Sequence, residues 1–230
     1  LLHGFASHRD EVGDLYKKLA NELCARQIAS LRFDFRGWGE SSGEQSQTTI
    51  HQQISDTEAA YQFLISLEFV DNNRIGVLGF SLGAGIAILT AVNHMKWFKA
   101  MALWSPVGSL VNDFLDSFGK EKFLTAQTEG VVAINLGWRT VTLKNSFMES
   151  LENFDIFSSI NSYKDSLLII SGEEDRSSSY VERFLQYSSS KNKKAVIYQD
   201  ADHIFNVLDN QKSLSIQLVE DTSNWLQLNL

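Results

Sequence analysis

Short apolar runs alternate along this chain with longer stretches in which apolar residues recur every three or four positions. Five continuous apolar runs predict buried β-strands, at residues 28–35, 75–78, 100–104, 166–171 and 194–198. Helical spacing predicts helices over 10–27, after Thr48-Thr49, and over 84–91, 180–188 and 213–228. Residues 1–5 are expected to end a further strand. Strands that alternate with helices predict a mostly parallel sheet covered by helices on both faces.

The alternation stops between Val107 and about Tyr163, a stretch that is rich in Phe. Within it, residues 131–134 and 138–143 flank a turn containing Gly137, which predicts a β-hairpin. An insertion of this length between two core strands is usually functional. We expect a core of residues 1–106 and 164–230, with a small cap of residues 107–163 inserted after the strand that ends near Trp104. A second packing unit with no role in binding is the alternative.

Composition narrows the classes of partner and cofactor. The 230 residues carry a formal net charge of −8, so we expect no nucleic acid and no anionic membrane surface as partner. No apolar run reaches the ~18 residues of a membrane span, and we expect no secretory signal within these residues. The single cysteine, Cys24, excludes an internal disulfide and favours a reducing, cytoplasmic location. We expect no metal and no cofactor, and composition leaves the oligomeric state open.

The strongest local motif is Gly79-Phe80-Ser81-Leu82-Gly83, between the strand at 75–78 and the helix at 84–91. It predicts a sharp strand-to-helix turn with Ser81 at its apex. Glycines two positions before and after Ser81 would let the helix and the strand approach closely. A five-residue motif of this kind also occurs by chance. It indicates a catalytic serine only if suitable partner residues follow further along the chain.

A serine hydroxyl is a weak nucleophile and needs a neighbouring base. Of the five histidines, His203 follows a strand in the second half of the sheet, and Asp175 ends the preceding strand. Because parallel strands share a carboxyl edge, Ser81, Asp175 and His203 are expected to converge there. Glu174 is the substitute acid, whereas Asp202 is expected to face away from His203. Taken singly, each of these three residues could be an ordinary turn or surface residue. Their order along the chain and their positions at strand ends favour a catalytic site.

Acyl transfer also needs donors for the developing oxyanion. We expect two backbone groups to be these donors. They are the N–H of Leu82, at the start of the helix, and the N–H of Phe5, in the loop His3-Gly4-Phe5. In this interpretation His3 and Gly4 shape the loop, although His3 is an alternative base. The glycine-rich loop at 34–43 lacks both nucleotide-binding fingerprints and is interpreted as a structural turn.

Five segments together resemble the α/β-hydrolase superfamily: His3-Gly4-Phe5, 34–43, 79–83, 171–175 and Ala201-Asp202-His203. The aromatic cap is similar to that of cinnamoyl/feruloyl esterases and of monoacylglycerol-lipase-like and serine-aminopeptidase-like members. The resemblance implies a carboxylic ester hydrolase acting on a small-molecule ester through an acyl-enzyme on Ser81, with the cap closing over an acyl or aryl group. Thioesterase and peptidase activities on the same triad stay open.

The chain departs from the family pattern at three places. Relatives carry strands before the His-Gly loop, so the N-terminal strands are expected to be missing here. The acid loop continues as Arg176-Ser177-Ser178-Ser179 where relatives have apolar residues and a proline, and Asp200 replaces a glycine before the histidine turn.

Two other classes remain as alternatives. The glycines at 79, 83 and 85, with Tyr187 and Lys191, partly match a short-chain dehydrogenase, but no acidic residue for a ribose follows at the required distance. The second alternative class is a binding protein that has the α/β-hydrolase fold but no catalytic activity.

Overall fold

The structure, a computed structural model, describes residues 1–209 and 213–230. Its main sheet has four parallel strands in the order β1, β2, β5, β6, namely Gly76–Phe80, Ala100–Trp104, Ser166–Gly172 and Lys193–Tyr198. Phe80 pairs with Trp104, Trp104 with Ile170, and Gly172 with Tyr198. This register aligns the carboxyl ends of all four strands along one edge. The predicted mostly parallel sheet is confirmed.

Helices cover both faces of the sheet because side chains along each strand point alternately to opposite sides. In β2, Met101 and Leu103 face one apolar layer, whereas Ala102 and Trp104 face the other. The first layer includes α2 (Ile50–Ile65) and α3 (Leu82–Asn93). The second includes α1 (Leu15–Ala25) and α9 (Ser213–Asn229). The helix predicted from residue 10 thus begins at Leu15, after a 3₁₀ turn at Val12–Asp14.

The prediction of a strand over 28–35 is wrong. These residues form no ladder, and an apolar groove of about 340 Å³ lies between them, β1 and α2. Parallel strands bond only when they are about 4.8 Å apart. Leu31 instead accepts a hydrogen bond of 2.8 Å from the amino group of Leu1, and Leu2 bonds to β1, so residues 1–2 connect this stretch to β1. Residues 1–5 contribute a single bridge, in which Leu2 pairs with Gly79 of β1. An apolar run indicates that a segment is buried. Whether that segment pairs in a sheet depends on which strand lies beside it.

Residues 107–163 contain four helices and the predicted hairpin. The helices are α4 (Leu110–Phe118), α5 (Lys120–Glu129), α6 (Asn145–Leu151) and α7 (Ile156–Ile160). The hairpin strands are β3 (Val131–Asn135) and β4 (Thr140–Lys144). Phe114 and Phe147 of this segment pack in the same apolar layer as α3. After β5, a 3₁₀ turn at Arg176–Tyr180 leads into α8 (Val181–Tyr187).

We predict that Leu103→Ala destabilises the protein by about 2–5 kcal/mol, because it leaves a cavity in a fully buried central strand. The free energy of unfolding in urea measures the effect. Leu124→Ala on α5 is the matched control: Leu124 is 50% exposed, and its loss should cost no more than about 0.5 kcal/mol. Equal costs at both positions would contradict the assigned core.

Candidate active site

Four parallel strands deliver polar residues to one edge of the sheet. Ser81 follows β1, Ser105 follows β2, Asp175 lies three residues beyond β5, and His203 lies in the loop after β6. All four line a cavity of about 810 Å³. Residues that are far apart in sequence therefore meet where open parallel sheets bind ligands.

Ser81 stands at a strained turn. Its φ of 54° and ψ of −117° are unusual for a residue with a side chain. A Cβ on Gly79 would lie 2.2 Å from the carbonyl oxygen of Gly83, and one on Gly83 would lie 2.1 Å from that of Leu2. Only glycine fits at both positions, as the motif predicted. The turn presents the Ser81 side chain to the cavity while Leu82 begins α3.

His203 is held by Asp175 through an Nδ1···Oδ1 contact of 3.0 Å. The Asp175 carboxylate also accepts a hydrogen bond from the Ser177 hydroxyl. Burial acts to raise the pKa of Asp175, but the hydrogen bonds from His203 and Ser177 outweigh it and hold that pKa below its usual value. Asp175 is therefore an ionised acceptor at neutral pH, and among the described residues His203 Nε2 has no hydrogen-bond partner.

Two further contacts fix the position of the His203 ring. It packs against Phe80 with the ring centroids 5.1 Å apart, and its backbone carbonyl accepts a hydrogen bond of 3.0 Å from the Ser105 hydroxyl. Within the described part of the chain, no hydrogen bond joins Ser81 Oγ to His203. Catalytic hydrogen bonds are often long or poorly aligned without substrate. The described part of the chain therefore holds the imidazole in place and supplies no hydrogen bond from it to the serine hydroxyl.

The loop that contains Phe5 is held by two buried side chains, His3 and Glu11. Nδ1–H of His3 donates to the carbonyl of Gly4 at 2.8 Å, and Nε2 accepts from the N–H of Phe35 at 3.2 Å. Burial lowers the pKa of His3 to about 4. Both ring nitrogens are occupied, so the structure places His3 in a loop-shaping position rather than that of a base.

Glu11 supports the same loop from its other side. Its carboxylate accepts hydrogen bonds from the N–H of Gly4, from the hydroxyl of Ser7 at 2.8 Å and from the N–H of Val12 at 3.1 Å. Burial raises its pKa, against the opposing effect of these bonds. Glu11 thus holds the N–H of Gly4, directly before the N–H of Phe5, in place.

Of the two predicted oxyanion donors, Phe5 lines the cavity, and Leu82 directly follows Ser81 at the start of α3. Among the described residues, neither N–H donates to a protein acceptor. Buried backbone donors are almost always paired. Two free donors beside a serine at a helix N-terminus could bind a substrate oxygen carrying negative charge.

The remaining candidates lie elsewhere or have structural roles. Glu174 is exposed, and the contact to His203 is made by Asp175. Asp202 accepts from the N–H groups of Ile204 and Asn206 and so closes the turn after His203. The loop at 34–43 wraps around the Asp34 carboxylate, which accepts from the N–H of Glu40 at 3.0 Å. It is a structural turn.

Neither residue of the dehydrogenase-like pair lines the cavity. Tyr187 ends α8 and is 40% exposed, and Lys191 is exposed as well.

Three supporting residues were not anticipated from sequence. Glu11, Ser105 and Ser177 act through other residues, and their partners are distant in sequence or hidden in a loop conformation. For Ser177 the sequence did contain a signal, because the hydroxyl of a serine two residues after an aspartate commonly hydrogen-bonds to the aspartate side chain. The other two are ordinary polar residues until the fold places them.

The described residues contain no group of three or more His, Cys, Asp or Glu side chains placed to hold a metal ion. Among those same residues, no helix combines the length and apolar character needed to cross a membrane.

The sheet order, the elbow after β1 and the edge that carries Ser81, Asp175 and His203 define an α/β-hydrolase fold. The family model described as serine aminopeptidase, S33, matches residues 1–155, and the chain belongs to this family. The superfamily predicted from the motifs is confirmed.

Solved structures agree on the fold over almost the whole chain. The ferulic acid complex of Est1E from Butyrivibrio proteoclasticus has a TM-score of 0.82 at 19% identity, covering 99% of this chain and 87% of that one. The monoacylglycerol lipase of Paleococcus ferrophilus has a TM-score of 0.76 at 17% identity, covering 100% and 93%. At these identities the likeness establishes the fold alone.

Curated relatives match over shorter regions. Quorum-quenching protein AidA of Acinetobacter baumannii is 37% identical over 78 residues, which are 34% of this chain and 26% of AidA. Esterase FrsA of Photorhabdus laumondii is 28% identical over 127 residues, 54% of this chain and 28% of FrsA. An uncharacterised 31.7 kDa protein of Escherichia coli is 36% identical over 96 residues, 42% of this chain and 32% of that protein. The matched region thus spans about a third or less of these relatives.

We predict that acidification destabilises the protein through His3. Because burial lowers its folded-state pKa from 6.5 to about 4, its contribution is present above pH 6.5 and is lost as the pH falls toward 4. The shift corresponds to about 3 kcal/mol. Urea unfolding between pH 7 and pH 4 measures it.

In His3→Gln, which cannot take up a proton, the free energy of unfolding should be lower at pH 7 and should fall less steeply with acidification. His51→Gln, at an exposed position on α2, should keep the wild-type slope. A slope in His3→Gln as steep as that of the wild type would show that another group is responsible.

Proposed function

We propose that this protein is a serine hydrolase that cleaves carboxylic esters through an acyl-enzyme on Ser81. The observation that carries the proposal is the Asp175–His203 contact of 3.0 Å, beside a strained Ser81 on the same cavity. A carboxylate on Nδ1–H keeps Nε2 unprotonated and stabilises the imidazolium formed when Nε2 takes a proton. His203 can therefore act as general base toward Ser81.

In the proposed reaction, Ser81 Oγ attacks the ester carbonyl carbon while its proton passes to His203 Nε2. The carbonyl oxygen becomes an oxyanion that Phe5 N–H and Leu82 N–H would stabilise; one such donor is worth about 3–4 kcal/mol. His203 then protonates the departing alkoxide, leaving an acyl ester on Ser81. Water, deprotonated by His203, then attacks the acyl carbon; the bond to Ser81 Oγ breaks, His203 returns the proton to Ser81 Oγ, and the acid is released. Asp175 orients and stabilises the imidazole throughout.

The cavity walls favour a substrate with an apolar part. Phe5, Phe114 and Phe118 cluster there, with Phe5 centroids 5.2 Å from Phe114 and 5.5 Å from Phe118. We propose that residues 107–163, which supply the second and third of these rings, act as a cap that covers a short acyl or aryl group. The ferulic acid named for Est1E and the lipase and esterase names of the other relatives agree with an ester substrate.

Thioesterase and peptidase activity remain second candidates, because the same three side chains support them. The family's aminopeptidase description favours the peptidase. A panel of p-nitrophenyl esters, methyl ferulate, an acyl thioester and an aminoacyl amide separates these activities. Turnover of the amide or thioester alone would exclude the carboxylesterase.

We predict that a fluorophosphonate probe labels the protein stoichiometrically at Ser81 and that Ser81→Ala abolishes labelling. Intact-mass spectrometry with peptide mapping measures the adduct. Ser117→Ala is the matched control, because Ser117 also lines the cavity but donates its hydroxyl to the Asp113 carbonyl at 2.6 Å. A wild-type chain that remains unlabelled would instead support a binding protein without catalysis.

We also predict that Asp175→Asn lowers kcat by about 10²–10⁴-fold with a small change in KM, because the amide favours the wrong tautomer of His203. Steady-state kinetics with the best p-nitrophenyl ester provide the test. Glu174→Gln removes the adjacent, exposed acid and should leave kcat near the wild-type value. Comparable losses of kcat in the two variants would show that Asp175 does not have its proposed role.

A further inference from the structure

Arg139 lies at the cavity in the hairpin connection just before β4. Its guanidinium donates to the carbonyl of Ala6 at 3.2 Å, and its central carbon lies 5.6 Å from the ring centroid of Trp38 and 5.8 Å from that of Trp138. Contacts of an arginine with two indoles and a carbonyl restrict its side chain. The positive charge is thereby held beside the loop that contains Phe5.

The acidic groups that face the cavity are already engaged elsewhere. Asp175 contacts His203, Glu11 accepts three hydrogen bonds from its own loop, and Asp113 accepts from the backbone N–H groups of Gly108 and Ser109. Arg176, the other arginine on the cavity wall, pairs with Asp116 at 2.6 Å and lies 3.7 Å from Asp113.

Arg139 alone among the arginines and lysines of the cavity wall has no acidic partner within the described residues. The chain carries 28 acidic residues and a net charge of −8, so acids are abundant. Arg139 is an exposed residue, and its guanidinium, which keeps N–H donors beyond the one used on Ala6, suits a carboxylate.

The position of Arg139 also limits where that carboxylate would lie. Its hydrogen-bond partner Ala6 directly follows Phe5, whose N–H is the proposed oxyanion donor, and neighbouring Cα atoms are about 3.8 Å apart. An anionic group held by Arg139 would therefore lie beside the Phe5 loop, where the carbonyl oxygen under attack is proposed to bind.

Resting on the proposed esterase function, we propose that Arg139 binds the carboxylate of an anionic ester, such as the half-ester of a short dicarboxylic acid. Phe114 and Phe118 then contact the apolar part of the substrate. The substrate class becomes short esters that carry a second, ionised carboxyl group.

Monoethyl fumarate and ethyl crotonate test this assignment. Both are short trans-unsaturated ethyl esters, but the first carries a carboxylate where the second has a methyl group, and ethanol release follows both. Arg139→Gln should lower kcat/KM for monoethyl fumarate by about 10- to 100-fold, mainly through KM, because a charged hydrogen bond is lost. It should change ethyl crotonate little, and Arg139→Lys should restore part of the loss.

Arg183→Gln is the matched control, because Arg183 lies over the Phe157 ring at 4.0 Å but outside the cavity. It should leave both substrates unaffected. Equal loss on the two esters in Arg139→Gln would overturn the assignment and leave Arg139 as a clamp between the hairpin and the Phe5 loop.

Calorimetry keeps the assignment separate from the proposed function. Monoethyl fumarate should bind Ser81→Ala about 10-fold or more tighter than Ser81→Ala combined with Arg139→Gln, whether or not the wild type turns the ester over. Binding without turnover would reject the esterase and keep the carboxylate site. If ethyl crotonate is turned over but the two variants bind monoethyl fumarate equally, the esterase is kept and the carboxylate site is rejected.

Discussion

The close approach of strand β1 and helix α3 at Ser81 is the constraint on which the rest of the site depends. Side chains at Gly79 or Gly83 would overlap backbone atoms, at 2.2 Å from Gly83 O and 2.1 Å from Leu2 O. Backbone cannot yield as a flexible side chain can, so the turn survives only without those Cβ atoms. The same contact forces Ser81 to a φ of 54° and brings the residue 1–6 segment against the helix N-terminus. The position of Ser81 between strand and helix therefore follows from one packing requirement.

The sheet order then decides which loops meet that serine. Because β2, β5 and β6 lie side by side in register with β1, the loops after them open on the same edge. Ser105 and Ser177 add hydrogen bonds that hold the His203 loop and the Asp175 carboxylate. These supporting bonds matter because an imidazole can act as a base only when its tautomer and direction are set.

Burial and charge are arranged differently on the two sides of the cavity. Beside β1, the neutral His3 and the Glu11 carboxylate are buried and use their hydrogen-bonding capacity on the Phe5 loop. Beside the residue 107–163 segment, Arg176 is neutralised by acids while Arg139 is not. Among the described residues, the cavity thus combines apolar walls with one arginine that has no acidic partner, the combination from which the amphipathic anion is proposed as ligand.

Sequence by itself determined the parallel sheet, the elbow and the pairing of Asp175 with His203, because these rest on local periodicity, on glycine sterics and on the shared edge of parallel strands. It also predicted the hairpin, from two apolar runs around Gly137. Tertiary structure alone decided that residues 28–35 form no ladder, since pairing depends on what lies 4.8 Å away and not on the run itself. It alone placed Glu11 beneath Gly4 and Arg139 beside Ala6. Those contacts join residues whose partners no spacing rule connects, so their roles follow from packing geometry and not from residue type.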